Sequence, residues 1–280
     1  MSKLQRCAML ALALSLILRP AAWASAYDAH PKIVIVLVID QFRADYLERY
    51  SADFKGRGFR LFLDHGAYFS SCYYGYANTK TAPGHATIGT GAYTDGHGIG
   101  SNEWWDLDRN KQHPVSSVED ERYAIVGLAA PPSGSVPGSA PVSGAAAAPA
   151  AGAANGASPR NLLASTVGDE LRLATGGTAA VWGISLKDRA AILPAGAAAN
   201  GAFWIDPASG RFITSTYYMQ QLPAWAEAFN GGPAIATAES AAQTNAAGET
   251  NAATPVTSFY EQVGRTPAAN GYELAFAEAL

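Results

Sequence analysis

Five residues of this chain combine a reactive or ion-binding side chain with an informative position: Asp40, Thr81, Asn102, Lys187 and Arg189. Thr81 lies in the stretch 78–102, N-T-K-T-A-P-G-H-A-T-I-G-T-G-A-Y-T-D-G-H-G-I-G-S-N. Pro83 suits a first helical turn, where its missing N–H costs nothing. That places Thr81 at the start of a short small-residue helix ending near Gly91. Backbone amides at such a terminus point outward and favour an anion. A hydroxyl held there, with an amide side chain nearby, could attack a phosphorus or acyl centre. Threonine is also a common helix cap, and the local pattern leaves both roles open.

Asp40 ends the run 33–39, I-V-I-V-L-V-I. Unbroken β-branched apolarity predicts a central parallel strand covered on both faces. Sheets of that kind bind ligands at the carboxyl ends of their strands, where Asp40 stands. A carboxylate there suits a hard or borderline cation, or caps the helix expected over Q-F-R-A-D-Y-L-E-R-Y. Lys187 and Arg189 follow a strand predicted over 180–186, A-V-W-G-I-S-L. Residues two apart on a strand share a face, so the two cations could converge on a dianion. A solvated charge cluster is the alternative.

The remaining elements frame these positions. A short helix over 58–63 stops at Gly66, and the aromatic stretch 67–76 reads as a second strand with Cys72 buried in it. Trp104 and Trp105 either pack inside or border a ligand. Ser158-Pro159 opens a helix with Leu163, Val167, Leu171 and Ala174 along its inner face, closed by Gly176-Gly177. Residues 201–206, 207–210 and 211–215 spell a β-hairpin. Residues 223–229 form an amphipathic helix, and another begins at 272. Two segments, 129–157 and 237–254, are so rich in Ala, Gly, Pro, Ser, Asn and Thr that they read as flexible surface insertions.

Residues 1–26 read as a secretory leader. Lys3 and Arg6 precede an apolar run over 7–18, and Ala24-Ser25-Ala26 is a small-residue cleavage site. An uncleaved anchor is the alternative. The expected location is the periplasm or the cell exterior. The formal charge of −4 attracts neither nucleic acid nor an anionic membrane. Without the leader Cys72 is the only cysteine, so no intrachain disulfide forms.

In order, these signals resemble the alkaline phosphatase superfamily, and within it the monomeric, threonine-nucleophile alkaline phosphatases of the PafA type. The matching phrases are V-L-V-I-D-Q-F-R-A-D-Y-L, T-K-T-A-P-G-H-A-T, G-H-G-I-G-S-N-E-W, S-P-R-N-L-L-A-S-T-V-G-D-E-L and G-I-S-L-K-D-R-A-A-I-L-P-A-G. The resemblance implies an α/β/α sandwich of the alkaline phosphatase type, incomplete at its C-terminus, and a two-zinc enzyme acting on small phosphate monoesters as a monomer. Thr81 would be the nucleophile, passing through a phosphothreonine. Asp40 would bind the zinc that also holds the Thr81 oxygen. Asn102, Lys187 and Arg189 would hold the phosphoryl oxygens. The family's other zinc ligands, a D-x-x-x-H motif, an Asp-His pair and a late histidine, have no match here. That implies the N-terminal portion of a longer enzyme, inactive alone. His85 and His97 fall in matched phrases but read as structural.

Related nucleotide pyrophosphatases and phosphodiesterases share the T-x-T-x-P-x-H phrase and lack the K-x-R pair. A monoester carries one more ionisable oxygen than a diester, so the added cations favour monoesterase chemistry. A phosphodiesterase and a non-catalytic phosphate-ester-binding protein are the alternatives. The C-x-P-x-R or S-x-P-x-R phrase that a sulfatase needs is absent.

Overall fold

The computed structural model describes residues 31–108, 113–128, 156–246 and 258–280. The leader and most of the first expected insertion fall outside these ranges. The chain divides into two units, Met1–Tyr68 and Phe69–Leu280.

In the first unit, helix α1 (Tyr46–Arg49) leads through a 3-10 turn (Ser51–Asp53) to helix α2 (Phe59–His65). Phe59 stacks on Phe42 with ring centroids 5.1 Å apart, and Phe54 also lies against Phe59, at 5.2 Å. Gly66 stops α2 as expected. The strand expected over 33–39 is not formed. The run carries no ladder, and Ile33 and Ile35 are 74% and 77% exposed. A strand takes its stability from ladder bonds and cross-strand contacts, and no described strand pairs with this one. Asp40 is exposed in a turn, and the N-cap of α1 is Asp45, so Asp40 does not cap that helix.

The second unit is built on a four-stranded sheet. Its strands are β3 (Ile125–Val126), β4 (Trp182–Ile184), β5 (Gly201–Ile205) and β6 (Phe212–Ser215), in the order β3-β6-β5-β4. The hairpin pairs Trp204 with Ile213 and Ile205 with Phe212. β4 runs parallel to β5, with Trp182 opposite Gly201. A smaller ribbon joins β1 (Glu103–Trp104) to β2 (Val115–Ser116).

Period-two alternation along β5 and β6 explains the layering. Ala202, Trp204 and Ile213 face one core, together with Ala82 and Ala86 of α3 (Thr81–Thr90), Ile99, and Ala191, Ile192 and Leu193 of α6 (Asp188–Ala195). Phe203, Ile205 and Phe212 face another, against α7 (Ala224–Gly231), α8 (Ala234–Ala246), α9 (Phe259–Gln262) and α10 (Ala268–Ala279). Phe212 and Phe276 stack there with ring centroids 3.7 Å apart. The unit is thus an α/β sandwich with helices on both faces, as expected.

Several local expectations are corrected. Residues 67–76 form no strand, and Cys72 is exposed rather than buried, because aromatic β-propensity needs a partner strand to act on. Helix α5 (Val167–Ala174) begins at Thr166, eight residues past Ser158, because Thr166 and Asp169 close a reciprocal capping box. Its expected inner face points outward, with Leu163 and Val167 exposed. Residues 237–246, expected as insertion, continue α8: alanine favours helix, and Ala238 and Ala242 are small enough to bury in the core. Ala157, at the end of the other insertion, is fully buried and bridges Glu119. The last helix starts at Ala268, ahead of Tyr272.

Candidate active site

Lys80, with extended backbone, is the N-cap of α3, and Thr81 is its first helical residue. Thr81 is therefore not the N-cap residue, and the Lys80 side chain makes no capping bond. That role falls to Asn102, whose Oδ1 accepts the Ala82 N–H at 2.8 Å. A backbone amide needs an acceptor, which assigns the oxygen of the Asn102 side chain to the helix. Sequence reasoning put Thr81 and Asn102 in one site, and the structure brings them together through this bond.

Further contacts hold the two strands of chain in register. The Asn78 side-chain amide donates to the Gly100 carbonyl, and Lys80 Nζ lies 3.5 Å from Ser101 Oγ. The Asn102 carbonyl accepts the Ser117 N–H at 2.9 Å. His85 Nδ1 donates to the Thr81 carbonyl at 2.8 Å, so that nitrogen carries a proton. His97 is fully buried, and both of its ring nitrogens are bonded. Burial holds its pKa below the ordinary value, so the ring is neutral. Each histidine thus bonds backbone within this stretch.

Lys187 and Arg189 are placed differently from expectation. β4 ends at Ile184, and Lys187 is the N-cap of α6, with Arg189 in its first turn. The shared-face strand argument therefore does not apply; a helix N-terminus presents both residues instead. Arg189 NH1 lies 3.6 Å from Asp188, and its Nε is buried with no hydrogen-bond partner among the described residues. Such an atom is costly unless something else meets it. α6 packs against α3, where a Cβ on Gly89 would come within 2.8 Å of Pro194 Cα. Both helix starts therefore rest on one core. Asp40 belongs to the first unit, and the other four residues to the second. Trp105 is exposed, and Trp104 only half-buried.

A buried carboxylate, Asp120, and a half-buried one, Glu273, escaped sequence reasoning. Asp120 takes two short bonds from Arg122 and one of 2.6 Å from Ser158 Oγ. Although burial opposes ionisation, these bonds hold its carboxyl far below the usual range. D-x-R gave a local hint; the distant serine gave none. Burial also pushes Glu273 up to about 7.

Fold and site together define an α/β protein with a threonine at a helix N-terminus capped by a distant asparagine. The chain belongs to the type I phosphodiesterase / nucleotide pyrophosphatase family, whose model matches residues 34–263, within the alkaline phosphatase superfamily. It is 42% identical over 200 residues to the alkaline phosphatase PafA of Elizabethkingia meningoseptica, covering 71% of this chain and 32% of that protein. The crystal structure of wild-type PafA superposes with a TM-score of 0.70 at 34% identity, covering 90% of this chain and 49% of that one. A second PafA structure, with a TM-score of 0.66 and 31% identity over 86% of this chain and 48% of that one, carries four substitutions. They fall at a threonine, an asparagine 21 positions later, a lysine, and an arginine two beyond it. This chain spans about a third of its relative's length and about half of the solved chain.

Among the described residues the donor set is short of a complete zinc centre. Among the described residues no three His, Cys, Asp or Glu side chains group as ligands. Asp40 and Thr81 together fall short of the three or four protein donors that zinc takes. Among the same residues, no helix is long and apolar enough to cross a membrane.

Proposed function

We propose that this chain carries the phosphoryl-binding part of a hydrolase for small phosphate monoesters, working at the periplasm or outside the cell as a monomer. Thr81 Oγ attacks phosphorus as its hydroxyl proton passes to solvent water. The bond to the leaving oxygen breaks, that oxygen departs with its electron pair, and a phosphothreonine remains for water to hydrolyse. Asn102, Lys187 and Arg189 hold the phosphoryl oxygens. The observation that carries the reading is the Ala82 N–H to Asn102 Oδ1 bond, which fastens Asn102 to the helix turn that Thr81 opens. The buried Arg189 Nε supports it, since a phosphoryl oxygen would meet that atom.

The four positions substituted in PafA repeat the types of Thr81, Asn102, Lys187 and Arg189 and the spacing within each pair, though not the interval between the pairs, which supports the same set here. Two zinc ions enter the proposal from the resemblance alone, with Asp40 and Thr81 as the donors this chain contributes. When bound, they would supply Lewis-acid stabilisation of the oxygens that gain charge.

The family model's own description favours a second reading, a phosphodiesterase. The Lys187–Arg189 pair weighs against it. Turnover of a phenyl phosphate monoester against a bis-phenyl diester by the intact protein separates the two. The monoesterase reading predicts a monoester preference that Lys187→Ala and Arg189→Ala each reduce by about ten- to a hundredfold, since each removes a charge-assisted contact. A parent enzyme that prefers the diester overturns it.

A further inference from the structure

The loop that carries Asn102 is fastened to α3 at a second point. His97 closes α4 (Thr94–His97) and has no exposed surface. Its Nδ1 accepts the Ile99 N–H at 3.0 Å, so the proton of the neutral ring sits on Nε2. That nitrogen lies 3.1 Å from Thr87 Oγ1 and donates to it. His97's own carbonyl accepts the Leu163 N–H at 3.0 Å. Gly98 follows at φ 79, where a Cβ would come within 2.8 Å of the Leu163 side chain. Ile99 then buries in the same core as Ala82 and Ala86. Residues 97–102 thus leave α3 at Thr87 and return to it at Ala82, about 7.5 Å apart along the helix axis at 1.5 Å per residue.

A leucine or phenylalanine could fill this buried place without polar atoms to satisfy. The chain instead holds an imidazole whose two nitrogens bond one to the helix and one to the loop. Desolvating such a ring is unfavourable unless both bonds form, so the pair fixes distance and direction together. From these contacts we infer that His97 and Thr87 are positioning residues, setting where Asn102 stands relative to Thr81. They touch no reacting atom and act through Asn102. This rests on the phosphoryl role given to Asn102 above.

A double-mutant cycle in the intact protein, supplied with zinc, tests it. Thr87→Val removes the acceptor with little change of shape and leaves the imidazole in place. Two quantities are read: kcat/KM on a phenyl phosphate monoester, and inhibition by inorganic phosphate. Thr87→Val is expected to lower both about three- to tenfold, and Thr87→Ser, which keeps the hydroxyl, to restore them. In an Asn102→Ala background, Thr87→Val should add less than about twofold, because its route of action is gone. An equal loss in both backgrounds means Thr87 acts only through general stability and overturns the inference. So does an unaltered Thr87→Val enzyme, or a Thr87→Ser enzyme as impaired as the valine variant. Asn102→Ala alone with full activity overturns the phosphoryl role itself, and the positioning role with it.

Discussion

Asp120 has no exposed surface, yet it bonds Arg122 through both oxygens, accepts from Ser158 and lies 3.6 Å from Arg160. Removing its charge strips charge-assisted bonds from a buried site, so Asp120→Asn should lose about 2–4 kcal/mol of stability at neutral pH, read by denaturant melts. A carboxyl whose folded pKa is depressed stabilises above its unfolded pKa and loses that contribution as pH falls through the folded value. The gap between parent and variant should therefore narrow progressively below about pH 4. Glu273 carries the opposite sign. Its folded pKa is raised to about 7 by burial, so stability declines as pH rises from the ordinary value of 4.5 through 7. Glu273→Gln should melt higher than the parent at pH 8 and together with it near pH 4. Residue types at the candidate site were legible because Thr81, Asn102, Lys187 and Arg189 fall in short phrases of fixed spacing. Asp120's clasp on Ser158 was not, because 38 residues separate them.

Helix α3 is legible from end to end: Pro83 in its first turn, small residues within it, and Gly91 at φ 70 just past its end. What the sequence does not state is why those residues are small. Gly89 lies against Pro194 and Leu193 of α6, with the Pro194 Cα 2.8 Å from where a Cβ would stand. Alanine would gain about 1 kcal/mol in helix propensity, but overpacking against backbone costs about 1–3 kcal/mol. Gly89→Ala should therefore be destabilised overall by denaturant melts, with phosphate-monoester turnover falling too as the start of α3 shifts. The hairpin was legible because alternation and turn residues are local signals. The strands expected over 33–39 and 67–76 were not borne out, because apolarity reports a wish for burial and says nothing of which neighbour supplies it. The N-terminus of α5 was missed for a related reason: Ser158-Pro159 looks like a helix start, while the capping box at Thr166 and Asp169 makes one.

Both faces of the sheet in the second unit are covered, and this arrangement aligns the starts of α3 and α6 on one core. The described residues on either side of 129–155 are tied together. Asp120 N–H donates to the Gly156 carbonyl at 3.0 Å, Ser158 N–H donates to Val118 at 2.9 Å, and Leu128 and Gly156 line one surface depression. Replacing 130–154 with a short Gly/Ser linker should raise stability by about 1 kcal/mol, since each halving of the loop recovers about 0.6 kcal/mol of closure entropy. A loss on thermal or denaturant unfolding would contradict this. Family membership was legible as an ordered series of phrases, which no single motif would have carried. The central claim, that the Thr81 hydroxyl attacks phosphorus, is tested most directly by Thr81→Ala in the intact protein with zinc supplied, assayed on a phenyl phosphate monoester. The account predicts that kcat/KM falls at least about a thousandfold, with folding and phosphate binding retained; an alanine variant that turns over at the parent's rate contradicts it.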